Sequence, residues 1–302
     1  MRIDLFEMER MQALHFREVE FDLSESGVLP LTIAELLGDE ASGREFLATK
    51  LAYPLSEGSA VTRERIAAWY PGATIDNVTV VNGGSEANHL TLWALLEPGD
   101  RLAFMVPNYM QGWGLGRHYG DGTDVFHLTH SVDRWALDVD EMNRCVTEHT
   151  KAVMVCNPNN PTGHVLTEDE MSAVVDAARR ADAWLVVDEI YRGAEVGSEA
   201  TSPSFWGRYD KTVVTAGLSK AFGLPGLRIG WTISPTELVR EIRSRHDYTT
   251  LTPGMVSDRL AAVALEPEKR EWILGRTRAI LGRQLPRLEE WLRGHGDVFN
   301  YI

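Results

Sequence analysis

Short apolar runs recur along the chain at residues 77–81, 102–106, 151–156, 184–187, 212–215 and 229–233. They are rich in valine, isoleucine and leucine, too short for helices, and closed by glycine, proline, asparagine or aspartate. That pattern predicts strands covered on both faces rather than strands with one wet face. Polar and apolar positions with a helical period fall between and after them, predicting helices over 32–37, 62–69, 86–96, 255–264 and 269–291. Thr167-Glu-Asp-Glu170 reads as a capping box for a helix running to about residue 181. Ser234-Pro-Thr-Glu237 reads as another helix start, with Ser234 as N-cap and Pro235 at the first helical position. Strands separated by helices call for crossover connections, and hence an α/β fold with a mostly parallel sheet.

At 302 residues the chain has room for a large domain and a smaller one. A net charge of -14 argues against nucleic acid or an anionic membrane surface as partner. Two cysteines, Cys145 and Cys156, form neither a disulfide framework nor a metal cluster, which fits a reducing compartment. The first ten residues are too acidic for a signal peptide, and no apolar window reaches membrane-spanning length. The expectation is a soluble protein of the cytoplasm.

Chemistry collects where the predicted strands end. After the first comes Asn82-Gly83-Gly84-Ser85 and then a helix. Unpaired N–H groups and the positive end of the helix dipole make such a loop an anion site, although an ordinary turn has the same look. It is neither a dinucleotide fingerprint nor a Walker loop. Pro107-Asn108-Tyr109 closes the second strand, and Asn157-Pro-Asn-Asn-Pro-Thr-Gly163 forces an extended loop after the third. Asp188-Glu-Ile-Tyr191 follows the fourth, where a carboxylate is expensive to bury without a cationic partner. Beyond the fifth lie one lysine, Lys220, and one arginine, Arg228. An amine able to form a Schiff base, beside a guanidinium that grips phosphate, suits a ligand with a carbonyl and a phosphate. His127 and His130 lack a third ligand at a suitable spacing, so no metal is expected.

Ser219-Lys-Ala-Phe-Gly-Leu-Pro-Gly-Leu-Arg-Ile-Gly230 resembles the lysine motif of the class I/II aminotransferases, enzymes of fold type I that use pyridoxal 5′-phosphate (PLP). The resemblance implies a three-layer α/β/α sandwich. It makes Lys220 the cofactor's anchor and proton carrier, Asp188 the partner of the pyridine nitrogen, and Asn160 and Tyr191 hydrogen-bond partners of the phenolic oxygen. Gly84, Ser85, Ser219 and Arg228 would hold the phosphate, and Tyr109 would stack on the ring. Tyr53 would reach the cofactor of a neighbouring subunit, which requires a homodimer, and Gly27 would line the substrate pocket with Asn160. Gly217 departs from the family, many members of which have a serine there.

By the same resemblance, residues 1–42 form an N-terminal segment near the pocket, 43–235 the large domain, and 236–302 an incomplete small domain. The chain ends before the region where the family carries an arginine for the substrate's α-carboxylate; either it is truncated or another group substitutes. The implied reaction is amino transfer between an amino acid and a 2-oxo acid. Residues 218–228 and the Asp-Tyr-Thr-Thr-Leu segment also look like capreomycidine synthase-like members, which eliminate and cyclise a hydroxylated arginine. A non-catalytic remnant of the fold is the third possibility.

Overall fold

The computed structural model describes residues 3–130, 134–198, 200–299 and 301. Eight strands form one sheet: β1 (Val78–Val81), β2 (Arg101–Val106), β3 (Gly122–His130), β4 (Trp135–Leu137), β5 (Thr150–Cys156), β6 (Trp184–Asp188), β7 (Thr212–Gly217) and β8 (Gly230–Ile233). Their spatial order is β1-β8-β7-β6-β5-β2-β3-β4. The run β7-β6-β5-β2-β3 is parallel throughout. β8 is antiparallel to both β7 and β1, so β1 points the same way as the parallel block. Every apolar run in the sequence is a strand, as the pattern predicts. β3 and β4 have no such run because they are only partly covered: β3 alternates between exposed and buried positions at its end, and of β4 only Leu137 is buried.

The helices are α1 (Glu7–His15), α2 (Ile33–Leu37), α3 (Glu40–Leu47), α4 (Ala60–Ala67), α5 (Gly84–Leu95), α6 (Gln111–Tyr119), α7 (Val139–Cys145), α8 (Glu168–Arg180), α9 (Thr236–His246), α10 (Met255–Ala264) and α11 (Pro267–Arg293). Side-chain alternation along the strands divides the core into layers. Ala103 and Met105 of β2 join Val153, Val155, Leu185 and Val187 against Met171, Val174 and Val175 of α8. Leu102 and Phe104 point the other way, joining Met154, Val186 and Val213 against α5, α6 and α9. This is the expected three-layer sandwich. A further cluster packs Trp231, Ile233 and Val80 against α4, α10 and the buried Ile273 and Leu274 of α11.

The capping box at Thr167 is present, with Glu170 returning its side chain to the Thr167 N–H. The one at Ser234 is not. Helix α9 begins at Thr236 with Pro235 in the N-cap position and no side-chain cap. Ser234 is committed to the sheet edge instead: its N–H donates to Asn77 O at 3.0 Å, and its carbonyl accepts from Asn77 Nδ2 at 3.1 Å. With both backbone groups used, the helix starts afterwards. Helix α5 starts two residues earlier than the pattern suggests, so Gly84 and Ser85 are its first residues rather than loop residues before it.

Candidate active site

Parallel wiring brings the ends of β1, β2, β5, β6 and β7 to one edge of the sheet, where open α/β folds bind ligands. Asp188 ends β6 and is 8% exposed. Its Oδ1 accepts from the Ile190 N–H at 3.0 Å and its Oδ2 from Asn88 Nδ2 at 2.9 Å. Asn88 is buried in α5, and its Oδ1 accepts from Thr215 Oγ1 of β7 at 2.6 Å. Burial pushes the Asp188 carboxyl above its ordinary range, and these two hydrogen bonds only partly oppose that. A carboxylate so placed calls for a cationic ligand group.

Lys220 lies three residues past β7 and donates to Glu25 Oε1 at 2.8 Å. The Tyr191 hydroxyl is 2.7 Å from Ser26 Oγ, and burial raises its pKa. Lys220, Tyr191, Asn160 and Ser26 line one cavity of about 750 Å³, together with Thr277, Leu281 and Leu285 of α11. Gly27 sits on the same loop as Ser26 and is exposed.

A second group of these residues gathers at the start of α5. Gly83 precedes it at φ +97°, a conformation natural to glycine, and a Cβ there would collide with the guanidinium of Arg228. Arg228 itself is left-handed at φ +51°, exposed, and donates to Ser219 Oγ at 3.5 Å. The start of α5, Ser219 and Arg228 therefore face one another. The Glu86 carboxylate braces this turn from behind, accepting from the Asn82 N–H at 2.7 Å, Thr249 Oγ1 at 2.7 Å and Thr250 Oγ1 at 2.9 Å. Burial opposes its ionisation, yet the bonds from His246, Thr249, Asn82 and Thr250 prevail and hold the group at about 2.

Tyr109 stands beyond the second strand as predicted, with its hydroxyl donating to Glu9 Oε1 at 2.6 Å and its ring 5.1 Å from that of Phe6. Tyr53 is 84% exposed and takes no part in this cluster. Asn88, Thr215, Glu25, Ser26, Glu86 and Glu9 have no counterpart in the sequence reading. Nothing local marks Asn88, since His89 and Thr91 beside it in α5 are polar too.

These residues fit PLP. The α5 terminus and Arg228 suit its phosphate, the buried Asp188 suits a pyridinium, and Lys220 suits its aldehyde, all beyond the ends of the parallel strands.

Residues 42–291 match the model of the family described as aminotransferase class I and II. The chain is 29% identical over 240 residues to the probable N-succinyldiaminopimelate aminotransferase DapC of Mycobacterium tuberculosis, covering 77% of this chain and 60% of that one. It thus spans about three fifths of that curated relative's length. A PLP-dependent aminotransferase from Streptococcus suis superposes with a TM-score of 0.87 at 29% identity, over 97% of this chain and 78% of that one. The PLP-dependent cyclase OrfR superposes with a TM-score of 0.86 at 30% identity, over 98% and 77%.

Proposed function

From the premise that the chain belongs to the aminotransferase class I and II family, we propose that it transfers an amino group between an amino acid and a 2-oxo acid. PLP is the cofactor of this fold, and when bound it supplies an electron sink conjugated to the substrate's α-carbon. The observation that supports the reading is a buried, hydrogen-bonded Asp188 at the end of β6 beside a neighbouring strand, β7, that Lys220 follows by three residues, with Arg228 against Gly83 before α5.

In this reading Gly84 and Ser85 offer free N–H groups to the phosphate, with Ser219 and Arg228 on its other side. Asp188 keeps the ring nitrogen protonated, Tyr109 covers a ring face, and Asn160 and Tyr191 hold the phenolic oxygen. Lys220 anchors the cofactor and carries the proton between the α-carbon and the cofactor as general base and acid. Tyr53, exposed on a single chain, serves the site of a second subunit in a homodimer, and Gly27 borders the substrate. Residues 1–42, 43–235 and 236–302 then act as entrance segment, cofactor domain and the start of a small domain, in a protein of the cytoplasm. No helix among the described residues is long and apolar enough to cross a membrane.

The test is a visible absorption spectrum of PLP-loaded protein before and after borohydride, beside Lys220→Ala. Reduction should fix the cofactor covalently to Lys220, and the reduced variant should retain none covalently. A folded protein with no PLP band refutes the reading. A second reading is elimination and cyclisation; likeness to the PLP-dependent cyclase OrfR supports its cyclisation part. Product formation that needs no 2-oxo acid would select it over amino transfer.

A further inference from the structure

Asp188 owes one of its hydrogen bonds to a side chain, and that side chain is itself held in place. Strand alternation turns Asp188 to the same face of the sheet as Val186, and Thr215 to the face of Val213, both of which pack against α5. The two residues stand in register on β6 and β7. Asn88 of α5 lies over both. Its Nδ2 donates to Asp188 Oδ2 at 2.9 Å, and its Oδ1 accepts from Thr215 Oγ1 at 2.6 Å. All three side chains are buried, so water does not substitute freely for any of these bonds.

An amide presents donors on one side and an acceptor on the other, so the three groups must agree on a direction. An ionised Asp188 can only accept. That turns the Asn88 amide nitrogen toward it and leaves Oδ1 facing Thr215, whose hydroxyl then donates. With the amide turned over, Oδ1 would oppose the carboxylate unless Asp188 had taken up a proton. The direction of this short chain is thus tied to where the proton sits. Ionisable side chains on which the Asp188 charge acts are Tyr109, Cys156, Glu189 and Tyr191. Each is an acid whose own pKa burial raises, so none of them brings a positive charge to keep Asp188 ionised. The Asn88 amide is the side-chain group that acts in that direction, beside the backbone N–H of Ile190.

We propose that Asn88, oriented by Thr215, is a positioning residue that lowers the basicity of Asp188, so that the proton between Asp188 and the cofactor's pyridine nitrogen stays on the nitrogen. This rests on the PLP-dependent reading above. In that reading neither residue touches the cofactor, and both act through Asp188. The test loads the full chain with PLP isotopically labelled at its ring nitrogen and reads that nitrogen's chemical shift at pH 8, beside a titration for PLP affinity. The parent should show a protonated ring. Asn88→Ala should move the shift toward the unprotonated value and weaken PLP about tenfold, the loss of one hydrogen bond to a charged group. Thr215→Val, nearly the same shape without the hydroxyl, should move both in the same direction by a smaller factor. Thr215→Ser keeps the hydroxyl and should match the parent. Circular dichroism checks the fold, and the two Thr215 variants decide the matter alone if Asn88→Ala does not fold. A ring nitrogen that stays protonated in Asn88→Ala and Thr215→Val, whatever their affinity, overturns this inference alone, as does Thr215→Ser behaving like Thr215→Val. A parent that takes up no PLP, or holds it with an unprotonated ring, overturns the reading beneath it, and this inference with it.

Discussion

Replacing Asp188 by asparagine should separate folding from cofactor binding. In the cofactor-free protein Asp188 is a buried acid with two donors and no cation, and burial raises its pKa. A raised folded-state pKa means the group favours folding below the unfolded value of 3.8 and loses that contribution as pH rises through the folded pKa. Above that pH the ionised side chain is a burden that an amide does not impose. The hydrogen bonds can survive the change. The amide oxygen of the substituted side chain can still accept from the Ile190 N–H, and Asn88 can turn over so that its Oδ1 accepts from the new amide nitrogen. Its Nδ2 then donates to Thr215 Oγ1, which can accept as readily as donate. Asp188→Asn should therefore leave the cofactor-free protein as stable as the parent at pH 8, or up to about 2 kcal/mol more stable, with the advantage shrinking toward pH 4. PLP binding should suffer the loss of a buried charge partner, about 3 kcal/mol or more, which is roughly a hundredfold in affinity. Urea unfolding at both pH values and fluorescence titration with PLP measure the two effects. A variant destabilised by more than about 2 kcal/mol at pH 8, or one that binds PLP as tightly as the parent, refutes the reasoning.

Two further substitutions test the anion end. Gly83→Ala forces a side chain into a left-handed position and into the Arg228 guanidinium. It should lower stability by about 1–2 kcal/mol and weaken PLP at least roughly tenfold, both read in the same titrations; PLP affinity within about twofold of the parent would contradict the placement of Arg228. Glu86, held at about 2 in the folded protein against 4.5 ordinarily, contributes stability that is complete above pH 4.5 and is lost as pH falls toward 2. Glu86→Gln should be less stable than the parent at pH 7, with the gap narrowing from pH 4.5 downward in urea unfolding. A gap that stays constant with pH would show that the charge is not what braces the loop.

Much of the fold can be read locally because its determinants are local. The doubly covered strands announce themselves as unbroken apolar runs, and the Thr167–Glu170 box closes within one helical turn. The Lys220 and Asn160 loops carry their chemistry in consecutive residues. Ser234 shows where such reading fails: its neighbours in sequence spell a cap, but Asn77 holds both its backbone groups, from a strand edge that no short window contains. β3 and β4 escape it for the opposite reason, since a strand that is only partly covered needs no continuous apolar run.

The unread part of the site has a common physical form, in that it consists of side-chain contacts between residues far apart in the chain. Asn88 reaches Asp188 across 100 positions, Tyr109 reaches Glu9 across 100, and Lys220 reaches Glu25 across 195. The residues a motif supplies are those that must meet an invariant part of a ligand, so strand ends and their loops fix them together. The residues that set the charge around them come from whichever element the topology lays alongside. For α5 that is forced, because the helix that follows β1 also packs on β6 and β7, which places Asn88 between Asp188 and Thr215. For the loop of Glu25 it is not forced, since a covering segment can vary without disturbing the sheet. The residues that motifs name thus lie at or beyond the strand ends of the sheet, and their long-range partners lie on the elements that cover it.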